Sequence, residues 1–204
     1  MLFRSDVTRA DETQALIQKT QEKFGRLDVL VNNAGKGLYC QVENTSLPDF
    51  SEIFELNVFS VLDLTQKALP LLKESRGLII NISSVAGWVT VSKMAAYCAS
   101  KYALNSLSEA LRIELAPAGI HVLSVYPGVT NTDFSANAKM LDARPISYAT
   151  QGRGIPAAVV ARKIVRAAAR RKKEIYITLE NHFIVWTHFL FPRLFEWGLK
   201  TFVK

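Results

Sequence analysis

A tyrosine and a lysine four residues apart are the side chains best placed for acid–base chemistry. Tyr97 and Lys101 lie in a predicted helix over residues 94–116, where this spacing puts both side chains on one face. A phenol is a poor proton carrier at neutral pH, but a nearby ammonium group stabilises the phenolate and lowers its pKa. The pair could then exchange a proton with a carbonyl oxygen. Alone the spacing is weak evidence, since an exposed tyrosine and lysine would look the same.

A serine at the end of a predicted strand could complete such a site. Ser84 follows the apolar run 77–83, and polar residues at the carboxyl ends of parallel strands face the ligand crevice of an α/β sheet. The segment VAG that comes next allows a sharp exit, which leaves the hydroxyl exposed. This hydroxyl could hydrogen-bond a substrate carbonyl. A turn that merely ends the strand is the simpler alternative.

Asparagines occupy two further positions that need an explanation. Asn57 lies within the otherwise apolar helical run ELNVFSV, where asparagine is unfavourable unless its side chain has a partner. The segment Asn32-Asn33-Ala34-Gly35 ends another predicted strand, and its small residues would let a flat ligand approach the backbone. A surface or locally bonded asparagine and an ordinary strand-to-loop turn are the alternatives.

Alternating strands and helices must position these residues. Short apolar or β-branched runs predict buried strands at 27–32, 77–83, 120–126 and 174–178. Helical periodicity predicts helices at 11–24, 48–74, 94–116 and 156–172. Residues 129–155 lack a clear period and are expected to form a loop or lid. Because strands that alternate with long helices are typical of βαβ units, we predict an α/β fold with a doubly wound parallel sheet of the Rossmann type.

Taken together, the motifs resemble the short-chain dehydrogenase/reductase family. The likeness rests on NNAG at 32–35, Asn57, Ser84, YCASK with Tyr97 and Lys101, and Pro127-Gly128. These segments come in the family's order and keep its thirteen residues from serine to tyrosine. The likeness covers residues 6–133 well and continues loosely to about 178. Each motif alone is weak or moderate, whereas the combination is specific.

The resemblance implies a role for each matching position. Tyr97 would be the general acid/base, and Lys101 would hold the nicotinamide ribose and lower the pKa of the tyrosine. Ser84 would polarise and orient the substrate carbonyl. Asn57 would hold a water that relays protons between Lys101 and solvent. Cofactor contacts are further implied for Asp6, Val7, Asn33, Ala34, Gly35, Pro127, Gly128, Thr130 and Thr132, where Thr130 replaces the valine or isoleucine more usual in the family.

The resemblance also implies an activity. It is that of an NAD(P)-dependent oxidoreductase that interconverts an alcohol and a ketone or aldehyde. The aromatic tail and the loop 129–155 would shape an apolar pocket, so a small apolar substrate is expected. The cofactor is expected to be NAD or NADP, with a slight preference for NADP, and the assembly a homodimer or homotetramer. No metal site is predicted, because Cys40 and Cys98 do not have a metal-ligand spacing. The alternative is a non-catalytic relative that keeps the fold as a binding or membrane-surface module.

The beginning of the sequence departs from the family's pattern. The family opens with a strand, a glycine-rich TGxxxGxG turn, a helix and a second strand, whereas this sequence begins five residues before Asp6. We therefore expect one NAD(P)-binding domain over 1–204 that is N-terminally incomplete and lacks its first two strands. The strand at 27–32 would then form an unpaired apolar edge. A dinucleotide would lack the helix N-terminus on which its pyrophosphate normally lies, so weak cofactor binding is expected.

Charge and hydropathy distinguish the last fifty residues. The net charge is +7, and residues 153–173 hold eight Lys and Arg but no Asp or Glu. Arg162, Arg166 and Arg170 recur every four residues, which is typical of a solvated helix face. Aromatic residues do not alternate with them, so nucleic-acid binding is not expected. The apolar, amphipathic tail 182–204 is too short to span a bilayer. It could contact a membrane surface, cover the substrate pocket or pack against a partner subunit.

Cysteine usage and the amino terminus favour a cytoplasmic location. The chain has only two cysteines, which fits a reducing compartment and implies no disulfide framework. The start, MLFRSDVTRADE, lacks the apolar stretch of a secretory signal. Membrane association through 182–204 is the alternative that the sequence leaves open.

Overall fold

A four-stranded parallel sheet forms the centre of the molecule. A computed structural model describes residues 3–142 and 154–202. The strands of the sheet are β1 (Val29–Asn32), β2 (Leu78–Ile82), β3 (His121–Tyr126) and β4 (Glu174–Tyr176). They pair in the order β1-β2-β3-β4, and every pair is parallel. The predicted α/β fold is confirmed, and each strand lies within its predicted range.

Helices lie before, between and after the strands along the chain. They are α1 (Ala10–Phe24), α2 (Leu47–Phe54), α3 (Ser60–Ser75), α4 (Ala95–Leu115), α5 (Ala157–Ala169), α6 (Leu179–Leu190) and α7 (Pro192–Phe202). Side chains on one face of the sheet, such as Ile79 and Val122, pack against α1, α3 and α4. Their neighbours Ile80 and Leu123 point to the other face and pack against α5. Because strand side chains alternate between faces, this packing makes the sheet doubly wound.

Strand β1 lies at an edge of the sheet. Among the described strands it pairs only with β2. Leu30 and Asn32 are buried, whereas Val29 and Val31 are 45% and 50% exposed. One face of β1 therefore packs against helices while the other presents valines to solvent, so the strand is half-buried and not buried on both faces as predicted for 27–32.

The predicted helix over 48–74 is divided by a wider turn. Ser46 caps the start of α2 by accepting a hydrogen bond from the Asp49 backbone N–H at 3.2 Å. Residues Glu55–Phe59 then form a π-helical turn before α3 begins. Such turns insert one extra residue into a helix and are frequent at functional sites. Asn57 lies in this turn, which explains how an asparagine fits an otherwise apolar helix.

The second half of the chain differs from prediction at several boundaries. Within the predicted loop 129–155, short strands pair Leu38–Tyr39 with Lys139–Met140 and Thr130–Asn131 with Ile155–Pro156. The rest of that prediction, 143–153, falls outside the described residues. The tail becomes helical at Leu179, earlier than predicted, because the Thr178 hydroxyl caps α6 through the Asn181 backbone N–H at 3.1 Å. In the part of the chain that the structure describes, no helix combines the length and apolarity needed to cross a membrane.

Candidate active site

The carboxyl ends of the strands open onto one large cavity. Its volume is about 1290 Å³, and its walls come from the ends of β1, β2 and β3 together with α4, α5 and α6. Nine of the residues proposed from the sequence line this cavity: Asn33, Gly35, Ser84, Tyr97, Lys101, Pro127, Gly128, Thr130 and Thr132. The chain therefore gathers, in one place, residues that lie up to 99 positions apart in the sequence.

Ser84 and Tyr97 meet where β2 leaves the sheet. Ser84 caps the 3-10 turn Val85–Gly87, and its hydroxyl accepts a hydrogen bond from the Ala86 backbone N–H at 3.1 Å. Tyr97 lies in the first turn of α4 and is only 7% exposed. Both side chains line the cavity, and the Ser84 hydroxyl is close enough to the phenol to lower its pKa. Two hydroxyl groups therefore face the same corner of the cavity.

A buried asparagine, which the sequence analysis did not single out, fixes this corner. The Asn105 side chain accepts a hydrogen bond from the Ser83 hydroxyl at 2.5 Å and donates one to the Gly87 carbonyl at 2.7 Å. It thereby ties both ends of the turn after β2 to α4. A signal was present in the sequence, because Asn105 continues the four-residue spacing of Tyr97 and Lys101 along one helix face.

Lys101 lies beneath Tyr97 in the wall of the cavity. Its ammonium group donates a hydrogen bond to the Ile82 carbonyl at 3.0 Å and lies 5.8 Å from the centre of the Tyr97 ring. The side chain is 4% exposed. Because burial disfavours the charged form, it lowers the pKa of Lys101 to about 8.

The acidity of Tyr97 differs from the sequence-based expectation. A lowered pKa was expected from the neighbouring lysine. Instead, burial raises the pKa of Tyr97 to about 12, and the nearby Ser84 hydroxyl opposes that rise only in part. The aromatic ring of Phe134, 5.4 Å away between ring centres, helps to exclude water from the phenol. Desolvation dominates because the pKa of Lys101 is itself lowered to about 8, so the lysine has lost most of its charge at the pH where a phenol ionises.

Asn57 lies behind the cavity rather than in its wall. It is fully buried, with its side-chain oxygen accepting from the Lys36 backbone N–H at 3.0 Å. Its amide group donates to the Lys36 carbonyl at 3.1 Å and to the Ser100 hydroxyl at 2.9 Å. Only Gly35 separates it from Lys101: an added Cβ there would lie 3.2 Å from the Asn57 oxygen and 3.5 Å from the Lys101 nitrogen. These contacts bind the loop after β1 to α4.

The end of β3 forms the opposite wall. The Pro127 carbonyl accepts a hydrogen bond from the Val85 backbone N–H at 3.0 Å, which joins this segment to the turn after Ser84. The Thr130 hydroxyl donates to the Gly128 carbonyl at 3.2 Å, and the Thr132 hydroxyl accepts from the Phe134 backbone N–H at 3.3 Å. Both threonines therefore stabilise the backbone of this wall.

Three of the proposed cofactor contacts lie apart from the large cavity. The Asp6 carboxylate is exposed and accepts hydrogen bonds from the Thr8 backbone N–H and hydroxyl at 3.0 and 2.8 Å, which lower the pKa of Asp6. Val7 and Ala34 line a separate small cavity of about 40 Å³ beside β1. Asn33 lines both cavities and so marks the boundary between them.

The apolar lining of the cavity was not foreseen from the sequence. Near Tyr97 the wall is formed by the buried side chains of Tyr39, Ala86, Val89 and Met94 together with Phe134. No periodic signal marks these residues, because they come from loops and short strands. Helix α6 adds Asn181 and Ile184 to another part of the wall. The amino-terminal part of the predicted tail therefore does line the pocket.

A doubly wound parallel sheet with polar groups at the carboxyl ends of its strands defines a protein of the nucleotide-binding α/β class. Within that class, residues 1–141 match the family model described as short chain dehydrogenase. The chain belongs to this family.

Characterised relatives agree with this assignment. The chain is 31% identical to 11-beta-hydroxysteroid dehydrogenase A of Sesamum indicum, over 98% of this chain and 60% of that protein. It is 40% identical to L-fucose dehydrogenase of Bos taurus, over 60% of this chain and 46% of that protein. The chain thus spans less than two thirds of the length of these relatives. A short-chain dehydrogenase from Burkholderia phymatum in complex with NAD superimposes with a TM-score of 0.85 at 25% identity, covering 94% of this chain and 75% of that one.

Proposed function

We propose that this short-chain dehydrogenase is an NAD(P)-dependent oxidoreductase that interconverts an alcohol and a ketone or aldehyde. The observation that carries the proposal is the meeting of Ser84, Tyr97 and Lys101 at one buried corner of a cavity about 1290 Å³ in volume. The cavity is large enough for a cofactor and a small substrate together.

The residues around Lys101 fit a nicotinamide cofactor. An ammonium group has three donors, and Lys101 uses one of them on the Ile82 carbonyl, so others can bind a ribose hydroxyl. The absence of a side chain at Gly35 leaves open the space in front of this ammonium group. Further contacts would come from Asp6, Val7, Asn33, Ala34, Pro127, Gly128, Thr130 and Thr132. The bound nicotinamide would supply or accept the hydride, and NADP remains slightly favoured over NAD.

The protein's own side chains would transfer the proton to and from the substrate oxygen. In the reducing direction, Ser84 would donate a hydrogen bond to the substrate carbonyl and orient it, while the Tyr97 hydroxyl gives its proton to the same oxygen. A pKa of about 12 keeps Tyr97 protonated for that step. The ammonium form of Lys101 would stabilise the phenolate that results. Asn57 would hold a water between Lys101 and solvent, as the family resemblance implies.

The lining favours a small apolar substrate. Tyr39, Val89, Met94 and Phe134 surround the hydroxyl pair with apolar surface, which would bind a hydrocarbon portion better than a polyol. Fucose and hydroxysteroid dehydrogenases among the relatives act, by name, on substrates of opposite polarity. We place this protein with the second kind. A homodimer or homotetramer, supported by the family resemblance, and a cytoplasmic location, supported by the cysteine usage, complete the proposal.

A substrate panel tests the proposal. The intact protein is incubated with NAD+ or NADP+ and secondary alcohols of graded polarity, from alicyclic alcohols to fucose, and reduced nicotinamide is followed by its absorbance. We expect turnover that increases with the apolar surface of the alcohol. Turnover of fucose alone would contradict the apolar pocket, and no reduced nicotinamide with any alcohol or cofactor would contradict the oxidoreductase assignment.

A further inference from the structure

Helix α6 has a buried face of mixed polarity and an exposed apolar face. Asn181, Val185 and His188 face the body of the protein, and the first two are at most 9% exposed. The opposite face forms what we call the outer stripe, whose members are spaced by four, three and four residues. They are Leu179, Phe183, Trp186 and Leu190, which are 89%, 62%, 52% and 50% exposed. A monomeric protein surface rarely leaves such a stripe uncovered.

Packing on the inner side fixes the orientation of α6. The ring of His182 stacks on Tyr176 with their centres 4.7 Å apart, and Phe189 contacts Trp88 edge-on at 5.9 Å. Val185 is 5% exposed beneath the helix. Rotating α6 to bury the outer stripe would break these contacts and remove Asn181 from the cavity wall. The stripe is therefore held outward by the rest of the structure.

A surplus of positive charge accompanies the stripe. Residues 157–202 contain nine Lys and Arg and three Asp and Glu. Seven of the nine lie between Arg162 and Lys173 and are exposed, and no described acidic group is within ion-pair distance of them. Four of them, at 170–173, lead into the amino end of β4, where the Lys172 carbonyl bonds the His121 ring at 2.8 Å, away from α6. Helix α5, which holds the other three, is linked to α6, because the Lys163 ammonium group donates to the Ile177 carbonyl at 2.6 Å, two residues before α6 begins. Both helices also line the same cavity.

We propose that the outer stripe of α6 docks on an anionic lipid surface, with the exposed cations of α5 providing the electrostatic attraction. Phenylalanine and tryptophan beside Lys and Arg are the composition that binds the headgroup boundary of a bilayer. A second copy of the chain fits less well, because a two-fold contact centred on α6 would bring two positive surpluses together. The contact would be peripheral, since α6 has only 12 residues.

This surface adds to the proposed function without depending on it. The inner face of α6 lines the cavity through Asn181 and Ile184, so docking by the outer face would place a cavity wall close to the lipid. If the oxidoreductase assignment also holds, an apolar alcohol or ketone dissolved in the membrane would lie near its binding site. The membrane contact itself is tested without any measurement of turnover.

Vesicle co-sedimentation of the whole chain provides the test. The variant Phe183→Ser/Trp186→Ser removes the centre of the stripe. The matched control, Phe24→Ser/Ile113→Ser, removes two side chains that are 65% and 76% exposed on α1 and α4. With phosphatidylcholine vesicles containing phosphatidylglycerol, we expect the stripe variant to partition about tenfold more weakly than wild type, and the control within about twofold. Binding should weaken as salt is added.

Each other outcome overturns the proposal. Equal binding by the wild type and the stripe variant would remove α6 from the contact, and equal binding to neutral vesicles would remove the role of charge. A dimer that the stripe variant dissociates, together with no vesicle binding, would assign the stripe to a second copy. If circular dichroism shows that the stripe variant is unfolded, Arg162→Glu/Arg166→Glu, which reverses two exposed charges of α5, replaces it. That variant must then lose the preference for anionic vesicles, and a retained preference overturns the proposal.

Discussion

Lys101 and Tyr97 lie together at a buried corner of the cavity. Burial shifts the pKa of each group in the direction that favours its uncharged form. The pKa of Lys101 is lowered to about 8 and that of Tyr97 is raised to about 12. A proton carrier is most useful when its pKa is close to the working pH, so Lys101 is well placed to pass protons between the site and solvent. Tyr97 would act in the reducing direction as a proton donor that stays protonated until the carbonyl binds.

The burial of Lys101 predicts a particular dependence of stability on pH. Its pKa is about 8 in the folded chain and 10.5 when unperturbed, so between these values the unfolded chain binds more protons and stability rises with pH. The rise amounts to at most about 3 kcal/mol. Above pH 10 it is opposed by Tyr97, whose raised pKa makes the folded chain the better proton binder. Burial also raises the pKa of the Cys98 thiol, which opposes the rise in the same range. Denaturant unfolding between pH 8 and 9.5 therefore measures the effect as the difference between wild type and a lysine variant.

Lysine variants provide the control for that measurement. Lys101→Met should lack the rise in the free energy of unfolding, because the buried ionisable group is gone. Lys73→Met, which removes an exposed lysine of α3, should keep it. A Lys101→Met chain whose stability follows the wild-type slope would show that Lys101 is not buried in the folded protein.

For individual residues, the sequence predicts which side chains come together but not the direction in which their pKa values shift. Ser84, Tyr97 and Lys101 could be selected by spacing and by their positions at a strand end and on a helix face. The direction of the Tyr97 pKa shift could not, because it depends on burial by residues from a distant loop, such as Phe134. The roles assigned to these side chains remain predictions until kinetics test them.

Among the elements, the turn after β2 does most to shape the site. It is pressed so closely on α4 that only glycine fits at position 87. A Cβ there would lie 2.7 Å from the Asn105 amide nitrogen and 2.8 Å from the Lys101 carbonyl oxygen. The second of these is backbone and cannot move aside cheaply. The same contact therefore sets the distance between the serine-bearing turn and the lysine-bearing helix.

Two alanine substitutions test this close contact. Gly87→Ala should destabilise the protein by about 1–3 kcal/mol through overpacking and should also weaken substrate turnover, because Ser84 would shift. Gly198→Ala in α7 meets no atom within 4 Å and should be neutral or stabilise by about 0.5–1 kcal/mol, as alanine in a helix does. Thermal unfolding of both variants, compared with wild type, measures these changes in stability. Equal melting temperatures would mean that the turn is not held against α4 as described.

The boundaries of helices and strands were predictable where local sequence signals mark them. They were not predictable where tertiary packing determines them. Gly25, with φ 70°, ends α1 where the sequence placed the end, because glycine adopts the left-handed conformation readily. The π-helical turn at Glu55–Phe59 gives no comparable signal, since its extra residue is accommodated by the buried contacts of Asn57. The start of α6 was missed, although Thr178 is an ordinary N-cap residue.

For the molecule as a whole, the parallel α/β sheet followed from the alternation of apolar runs with amphipathic helices. The order of the strands did not, because pairing is decided by contacts between distant segments. The cavity arises from that order: β1, β2 and β3 are neighbours, so their carboxyl ends converge. The expectation of a charged and apolar carboxyl-terminal region also came from composition, whereas the outward direction of the stripe on α6 required the structure.

The most direct test of the central claim is hydride transfer in Tyr97→Phe compared with Tyr102→Phe. Both variants remove one phenolic hydroxyl from α4; that of Tyr102 is bonded to the Trp88 carbonyl and is outside the cavity wall. In single-turnover measurements on the intact protein, we expect Tyr97→Phe to lower the rate by about 10²–10⁴. Cofactor affinity should stay within about twofold, and Tyr102→Phe should resemble wild type. A Tyr97→Phe rate within about threefold of wild type would contradict the account.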